Sequence, residues 1–264
     1  MVMYSLEHKK YLKKLRKNKV LVIFFQISIT ILFLLIWQLL ADFNLINTFI
    51  SSSPKKVLET LIELHNNGNL YKHIWVTIYE TLISFSIGTI LGILIATILW
   101  RFEFLAKILD PYLTIINSLP KVALGPIIII WVGANINSII LMALLISCII
   151  TIMNIYQGFI NTDSLKIKLM NSFNASKLQI YFKLLLPNSF PAIISTLKIN
   201  ISMSLIGIIM GEFLVSKEGI GYLIMYGSQV FNLDLVITGI FVLCIVATLM
   251  YYIIYYIEKR LIKN

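Results

Sequence analysis

Six runs of apolar residues, at 20–41, 81–100, 112–132, 138–157, 190–214 and 235–257, constrain this chain more than any other feature of it. About 20 residues of helix cross the roughly 30 Å hydrocarbon layer of a bilayer, and each run is close to that length. With 59% of its 264 residues hydrophobic, 13% charged and a mean hydropathy of +0.89, the chain does not have the composition of a soluble domain. The spans consume so much of the length that no separate catalytic domain fits. The expected fold is all-α: a basic N-terminal segment, 1–19, followed by one six-span transmembrane domain, 20–264.

The formal net charge of +10 invites a nucleic-acid reading, but its distribution argues for a membrane topology instead. Sixteen of the 22 Lys and Arg residues fall in 1–19, 100–111, 158–187 and 258–264. The opposite loops carry only Lys55, Lys56, Lys72 and Lys217. Excess positive charge marks the cytoplasmic side, so both termini and the 163–187 segment are expected inside. The first apolar run follows a basic stretch, as in a signal peptide, but it is too long and no small-residue cleavage site follows, so a retained span is expected. Cys148 and Cys244 both lie within apolar runs and imply no disulfide framework, and the three His residues show no ligand spacing.

Between the fourth and fifth runs, 163–187 is polar and basic and reads as two short helices meeting at a tight turn. Leu165, Leu169, Met170 and Phe173 share one helical face. Asn174 stands where the first helix must stop, and Asn tolerates the left-handed conformation of a helix exit. Ser176 and Gln179 have the spacing of a capping box. Leu178, Tyr181, Phe182 and Leu185 continue an apolar face, and Pro187 is expected to end the second helix. A hairpin of this kind held between two spans points to a soluble partner. A DNA-binding helix-turn-helix is set aside, because both ends of the hairpin enter membrane within a few residues.

Other signals concern the bundle itself. Ser53-Pro54 starts a helix whose Val57, Leu58, Leu61 and Ile62 form an apolar stripe, suited either to the outer membrane surface or to packing against neighbouring loops; Asn66-Asn67-Gly68-Asn69 ends it. Ser84, Gly88, Gly92 and Ala96 recur every four residues, with Gly207 and Gly211 repeating the device, and such stripes let helices approach closely in lipid. Pro120 and Pro126 bracket a stretch of the third span that is expected to kink or break, as mid-depth interruptions do in transporters. Polar positions within spans form faces: Asn117, Ser118 and Lys121 in the third, Ser147, Thr151 and Asn154 in the fourth, and Asn200, Ser204 and Glu212 in the fifth. As a set they are candidates to line a solute path, the alternative being hydrogen bonds between helices.

From about residue 53 onward the chain resembles the six-span permease subunit of bacterial ABC importers, in the branch serving nitrate, sulfonates, taurine and thiamine-precursor pyrimidines. The matching residues are Ser53-Pro54 with Val57 and Leu58, Asp110-Pro111, Leu119-Pro120 through Pro126, Trp131-Val132-Gly133, the hairpin to Leu186-Pro187, and Glu218-Gly219-Ile220-Gly221-Tyr222-Leu223. The resemblance implies that the hairpin is the family's cytoplasmic coupling motif, with Lys168, Leu169, Ser172, Phe173, Asn174, Ala175, Ser176, Leu178, Phe182 and Pro187 docking on an ATPase. The family's Glu-Ala-Ala and Gly positions are occupied here by Lys168, Leu169, Met170 and Asn174, so one charge is reversed. The resemblance further implies a second copy of the chain, a cytoplasmic ATPase dimer holding the ATP and Mg, an external solute-binding protein, and residence in the bacterial plasma membrane among its lipids. This chain itself is expected to bind no cofactor and no nucleic acid; it shows no Walker motif. In the dimer the third and fifth spans are expected near the shared axis.

An ion-coupled secondary carrier is the alternative; inverted repeats and a mid-membrane acid, its expected marks, are not evident in the sequence. Nor are the motifs of a membrane-embedded hydrolase. The charge asymmetry predicts that a cysteine at position 176 reacts with impermeant thiol reagents only from the cytoplasmic side, and one at 67 only from outside. Labelling of position 176 in intact cells would overturn the topology.

Overall fold

The computed structural model describes residues 6–261, with side chains from residue 11; the outermost residues of the basic N-terminal segment, and Lys263 among the C-terminal basic residues, lie outside that range. Helix α1 (Leu6–Asp42) runs without a break from the basic segment through the first span. Its apolar side chains are exposed along almost the whole span, and it touches the rest of the molecule near its far end. There Gln38 Oε1 accepts from the Lys55 amide at 3.0 Å, and Trp37 stacks on Phe241 with ring centroids 6.1 Å apart. A short turn of helix, α2 (Thr48–Ser51), leads to α3 (Pro54–Asn66).

Local chemistry sets the ends of α3 as expected. The Ser53 side chain accepts from the Lys56 amide, Pro54 occupies the first turn, and Gly68 makes the left-handed exit at φ 71°. One side of this helix packs on the bundle. Val57 is buried, its carbonyl accepts from Thr238 Oγ1 at 3.4 Å, and Lys56 pairs with Asp234 at 3.6 Å; Leu58 and Ile62 remain exposed on the opposite side.

The core of the molecule is a trio of long helices: α4 (Asn69–Arg101), α7 (Ile136–Ile160) and α10 (Leu186–Val215), with α7 packed most extensively on the other two. Their contacts run along the small-residue stripes. Ser84, Gly88, Gly92 and Ala96 are all buried, and a Cβ on Gly88 or Gly92 would strike Ser147 or Thr151 of α7. Gly207 lies on the backbone of Ala143, and Gly211 on Ile139. Helix α12 (Leu233–Leu261) closes the bundle and carries Glu258, which pairs with Lys198 of α10 at 2.9 Å. The pair ties α10 to α12.

The third span is broken, and only one of its two prolines breaks it. α5 (Glu103–Ser118) ends at Leu119, which is extended at φ −65°, ψ 140°, as the ring of a following proline demands. After a 3₁₀ turn, Lys121–Leu124, α6 (Gly125–Val132) leaves at 88° to α5. Pro126 sits in the first turn of α6, where its missing N–H removes nothing. Five helices are therefore long and apolar enough to span, and the bent pair makes the sixth.

Two sequence expectations need correction. Pro187 does not end the second hairpin helix: α9 (Lys177–Ile180), a π turn at Tyr181–Leu185 and α10 follow one another as a continuous 39-residue helix. The wider turn accommodates Pro187 at the start of α10, where no hydrogen bond is forfeited. The glycine face of the fifth span is also not available to a dimer axis, because α7 of the same subunit covers Gly207 and Gly211.

Gly207→Val drives a branched side chain into the Ala143 backbone, and the expected loss is about 1–3 kcal/mol of stability. Ile206→Val, at a 48% exposed neighbour, should be near neutral. Thermal unfolding of both variants in detergent checks the difference.

Candidate functional site

Two opposite ends of the α4–α7–α10 trio carry organised chemistry. At one end, α8 (Ser164–Ser172) and α9 form the hairpin. Asp163 caps α8 by accepting from the Leu165 amide at 2.8 Å. Asn174 has φ 52°; its amide donates to Asn171 O at 2.9 Å and the Ala175 amide to Met170 O at 3.1 Å. These are the two reversed bonds of a Schellman exit, made here with Asn in place of Gly. The capping box is complete: the Gln179 amide donates to Ser176 Oγ at 3.3 Å, and the Ser176 amide to Gln179 Oε1 at 2.8 Å.

The outer surface of this hairpin is apolar and basic together. Leu165, Leu169, Phe173, Leu178 and Phe182 are 57–75% exposed, and Lys166, Lys168, Lys177 and Lys183 surround them with Asp163 as the only acid. Ser172, Asn174 and Ser176 are exposed on the same element, Ala175 is half-buried, and Pro187 is exposed where the chain turns into α10. Leu185 and Tyr181, expected on this face, point the other way. Leu185 is fully buried with Ala96, Ile155 and Phe159, and Tyr181 packs edge-on to Phe159 while its hydroxyl meets Thr97 Oγ1 at 2.9 Å. The π turn changes the helical register at this point, so the last turn of the hairpin grips the bundle.

At the opposite end a buried carboxylate organises the turn after α10. Glu212 is 1% exposed. Its Oε1 accepts from Thr77 Oγ1 and its Oε2 from the Gly221 amide, both at 2.6 Å. Thr77 Oγ1 in turn accepts from the Ile220 amide at 2.8 Å, and His73 Nδ1 from the Gly219 amide at 3.0 Å. Lys72 pairs with Glu218 at 2.5 Å. Gly219 has φ 106°, open only to glycine at low cost, and a Cβ there would collide with the Glu212 carboxylate. The segment Glu218–Gly221 is thus fastened to α4 by backbone donors, and helix α11 (Ile220–Gln229) starts from it.

The residues proposed for a solute path separate into two groups. Ser147, Thr151, Asn200, Ser204 and Glu212 are sealed inside the subunit. Thr151 Oγ1 returns to Ser147 O at 2.8 Å, and Asn200 Nδ2 donates to Thr89 Oγ1 at 2.6 Å. Asn200 and Glu212 join helices through Thr89 and Thr77 of α4, since an Asn or Glu in lipid is tolerated when a neighbouring helix supplies its partner. Asn154 is half-buried. Asn117 and Ser118 are exposed on α5, and half-buried Lys121 folds back so that its Nζ donates to Asn117 O at 2.8 Å. A cation there also complements the C-terminal end of α5 at the break. His73, Thr77 and the two glycines were missed as a unit; their signal is the run 73, 77, 81, spaced four apart and ending three residues before the stripe that starts at Ser84.

Residues 88–263 match the profile of the family described as the binding-protein-dependent transport system inner membrane component. The chain belongs to that family. A "probable ABC transporter permease protein" of Haemophilus influenzae is 30% identical over 87% of this chain and 93% of its own length. The taurine transport system permease protein TauC of Escherichia coli is 23% identical over 86% of this chain and 85% of its own. In fold, the chain is similar to an inward-facing structure of the MetNI methionine ABC transporter, with a TM-score of 0.64 at 18% identity, over 74% of this chain and 95% of that one. The protein is a multi-pass permease subunit of an ABC importer of the bacterial inner membrane, a class that works with an ATPase and a binding protein.

The clamp yields a prediction for this permease. Thr77→Val leaves Glu212 Oε1 and the Ile220 amide without partners, and Gly219→Ala strains the turn; each is expected to cost about 1–3 kcal/mol. Thr77→Ser keeps the hydroxyl and should stay near wild type. Thermal unfolding in detergent measures all three.

Proposed function

We propose that this permease works as a homodimer with both termini in the cytoplasm, that it carries a small polar or anionic solute, and that the 163–187 hairpin is where a separate ATPase subunit grips it. The observation that carries the hairpin assignment is the exposed cluster of Leu165, Leu169, Phe173, Leu178 and Phe182 on an element whose own caps are all satisfied. A well-ordered hairpin with a contiguous apolar surface fits a groove on a soluble partner. Four lysines around that surface favour a groove with acidic residues on its rim, and the Lys at position 168 sets the pairing apart from that of an acidic motif.

Tyr181 and Leu185 support a lever reading, because force applied to the hairpin reaches α4 and α7 through their buried contacts. The exposed break of the third span, with Asn117, Ser118 and Lys121, is the part of the proposed path that is open at the subunit surface. With the glycine face of α10 already covered, the exposed sides of α5 and α6, including Ile115, Ile130 and Trp131, are left for the second copy, lipid or both. The relatives' named cargoes, among them taurine and a formylaminopyrimidine, favour a small polar or acidic solute delivered by an external binding protein. ATP and Mg belong to the ATPase, and this chain performs no chemistry of its own.

The test is co-purification with the partner ATPase and solute-stimulated ATP hydrolysis in lipid nanodiscs. Phe173, Leu178 and Phe182 replaced together by Ser should abolish both while leaving permease stability within a few degrees of wild type. Asn174→Gly should assemble normally, and Asn174→Val, which forces a β-branched residue into a left-handed conformation, should not. Lys168→Glu should weaken assembly. Unchanged coupling in the triple variant would remove the hairpin from the mechanism.

A further inference from the structure

Glu80 stands apart from every other acid near the Glu212 clamp. It is 3% exposed and makes no hydrogen bond or ion pair among the described residues, and its Oε2 is sealed from water without a partner. The neighbouring acids are already engaged, Glu212 by Thr77 and Gly221, and Glu218 by Lys72. Glu80 lines an open cleft of about 560 Å³ at the end of the bundle opposite the hairpin, together with Asn135, Ser216, Lys217 and Glu218. The exposed Lys217 makes no ion pair among the described residues.

A buried carboxylate without hydrogen bonds is costly to hold charged unless a counter-charge reaches it. An inorganic ion is a poor candidate, because the described residues offer no group of three side chains able to ligate a metal. An ammonium group needs fewer partners, and its three N–H donors match a carboxylate and nearby carbonyl or hydroxyl oxygens. Lys217 in the same cleft would repel a simple cation but would attract an acidic group. We propose that this cleft is an entry site for a small zwitterionic solute, whose ammonium end pairs with Glu80 and whose acidic end pairs with Lys217. The proposal rests on the importer reading and narrows its solute to molecules carrying both charges.

The test uses the full chain with its ATPase in lipid nanodiscs, and ligand-observed NMR with β-alanine, propionate and propylammonium as probes. β-Alanine is expected to bind at least tenfold more tightly than either single-charge analogue. Glu80→Gln should lower β-alanine affinity at least tenfold. Lys217→Ala, in an exposed loop and safe for folding, should weaken β-alanine several-fold and leave propylammonium unchanged or tighter. Propionate binding as well as β-alanine, indifference of β-alanine to both substitutions, or displacement of β-alanine by millimolar sodium or calcium would each overturn the site. Co-purification of the ATPase is scored in the same samples: its loss would count against the importer assembly, whereas its persistence with no β-alanine binding would overturn only the entry site.

Discussion

In lipid, burying an apolar side chain against another helix gains little over burying it in acyl chains, so helices must associate through close packing and hydrogen bonds. Everything else in this permease depends on how α4, α7 and α10 meet that requirement. Gly88 and Gly92 admit Ser147 and Thr151, while Gly207 and Gly211 admit the α7 backbone at Ala143 and Ile139. Polar groups then lock what the glycines bring together, as Asn200 does with Thr89. The result is a closely packed trio against which α12 also packs.

That trio joins the two functional ends. One continuous helix leads from Lys177 in the hairpin to Val215, three residues past Glu212. A second, α4, leads from His73 and Thr77 at the clamp to Thr97 and Trp100 beside Tyr181. Between the hairpin and the turn at Gly219–Gly221 the chain is continuous helix along α10 as far as Val215. The π turn fits this arrangement, because it lets the chain pass Pro187 unbroken and turns Leu185 inward to be gripped. The break at Leu119-Pro120 does the reverse: it uncouples α6 from α5 in a region where Lys121 satisfies the exposed end of the helix.

Much of the hairpin was legible in the sequence because its determinants are local. Asn174 and the Ser176–Gln179 box act over three to five residues, and the structure shows the bonds their spacing implies. The same holds for Ser53 and for the break at Pro120. What misled was the periodic continuation of a face through 181–185. A regular helix keeps Leu178, Tyr181 and Leu185 together, and one wide turn is enough to separate them. The polar faces inside the spans are ambiguous for another reason: Ser147 or Asn200 has the same spacing whether it meets water or a second helix.

The sequence by itself determined that this is an all-α membrane protein, where its spans fall, where the third must break and how the hairpin is capped, since apolar run length, charge placement and capping act along the chain. It also carried the family resemblance that the relatives bear out. Only the tertiary structure decided which polar residues are buried within the subunit, that Pro187 is passed rather than obeyed, and that Glu212 holds Gly221 while Glu80 has no partner among the described residues. Such outcomes depend on contacts between elements far apart in the chain, among them Thr77 with Glu212, 135 residues away, and no local rule of spacing can tell which distant partner a buried group will meet.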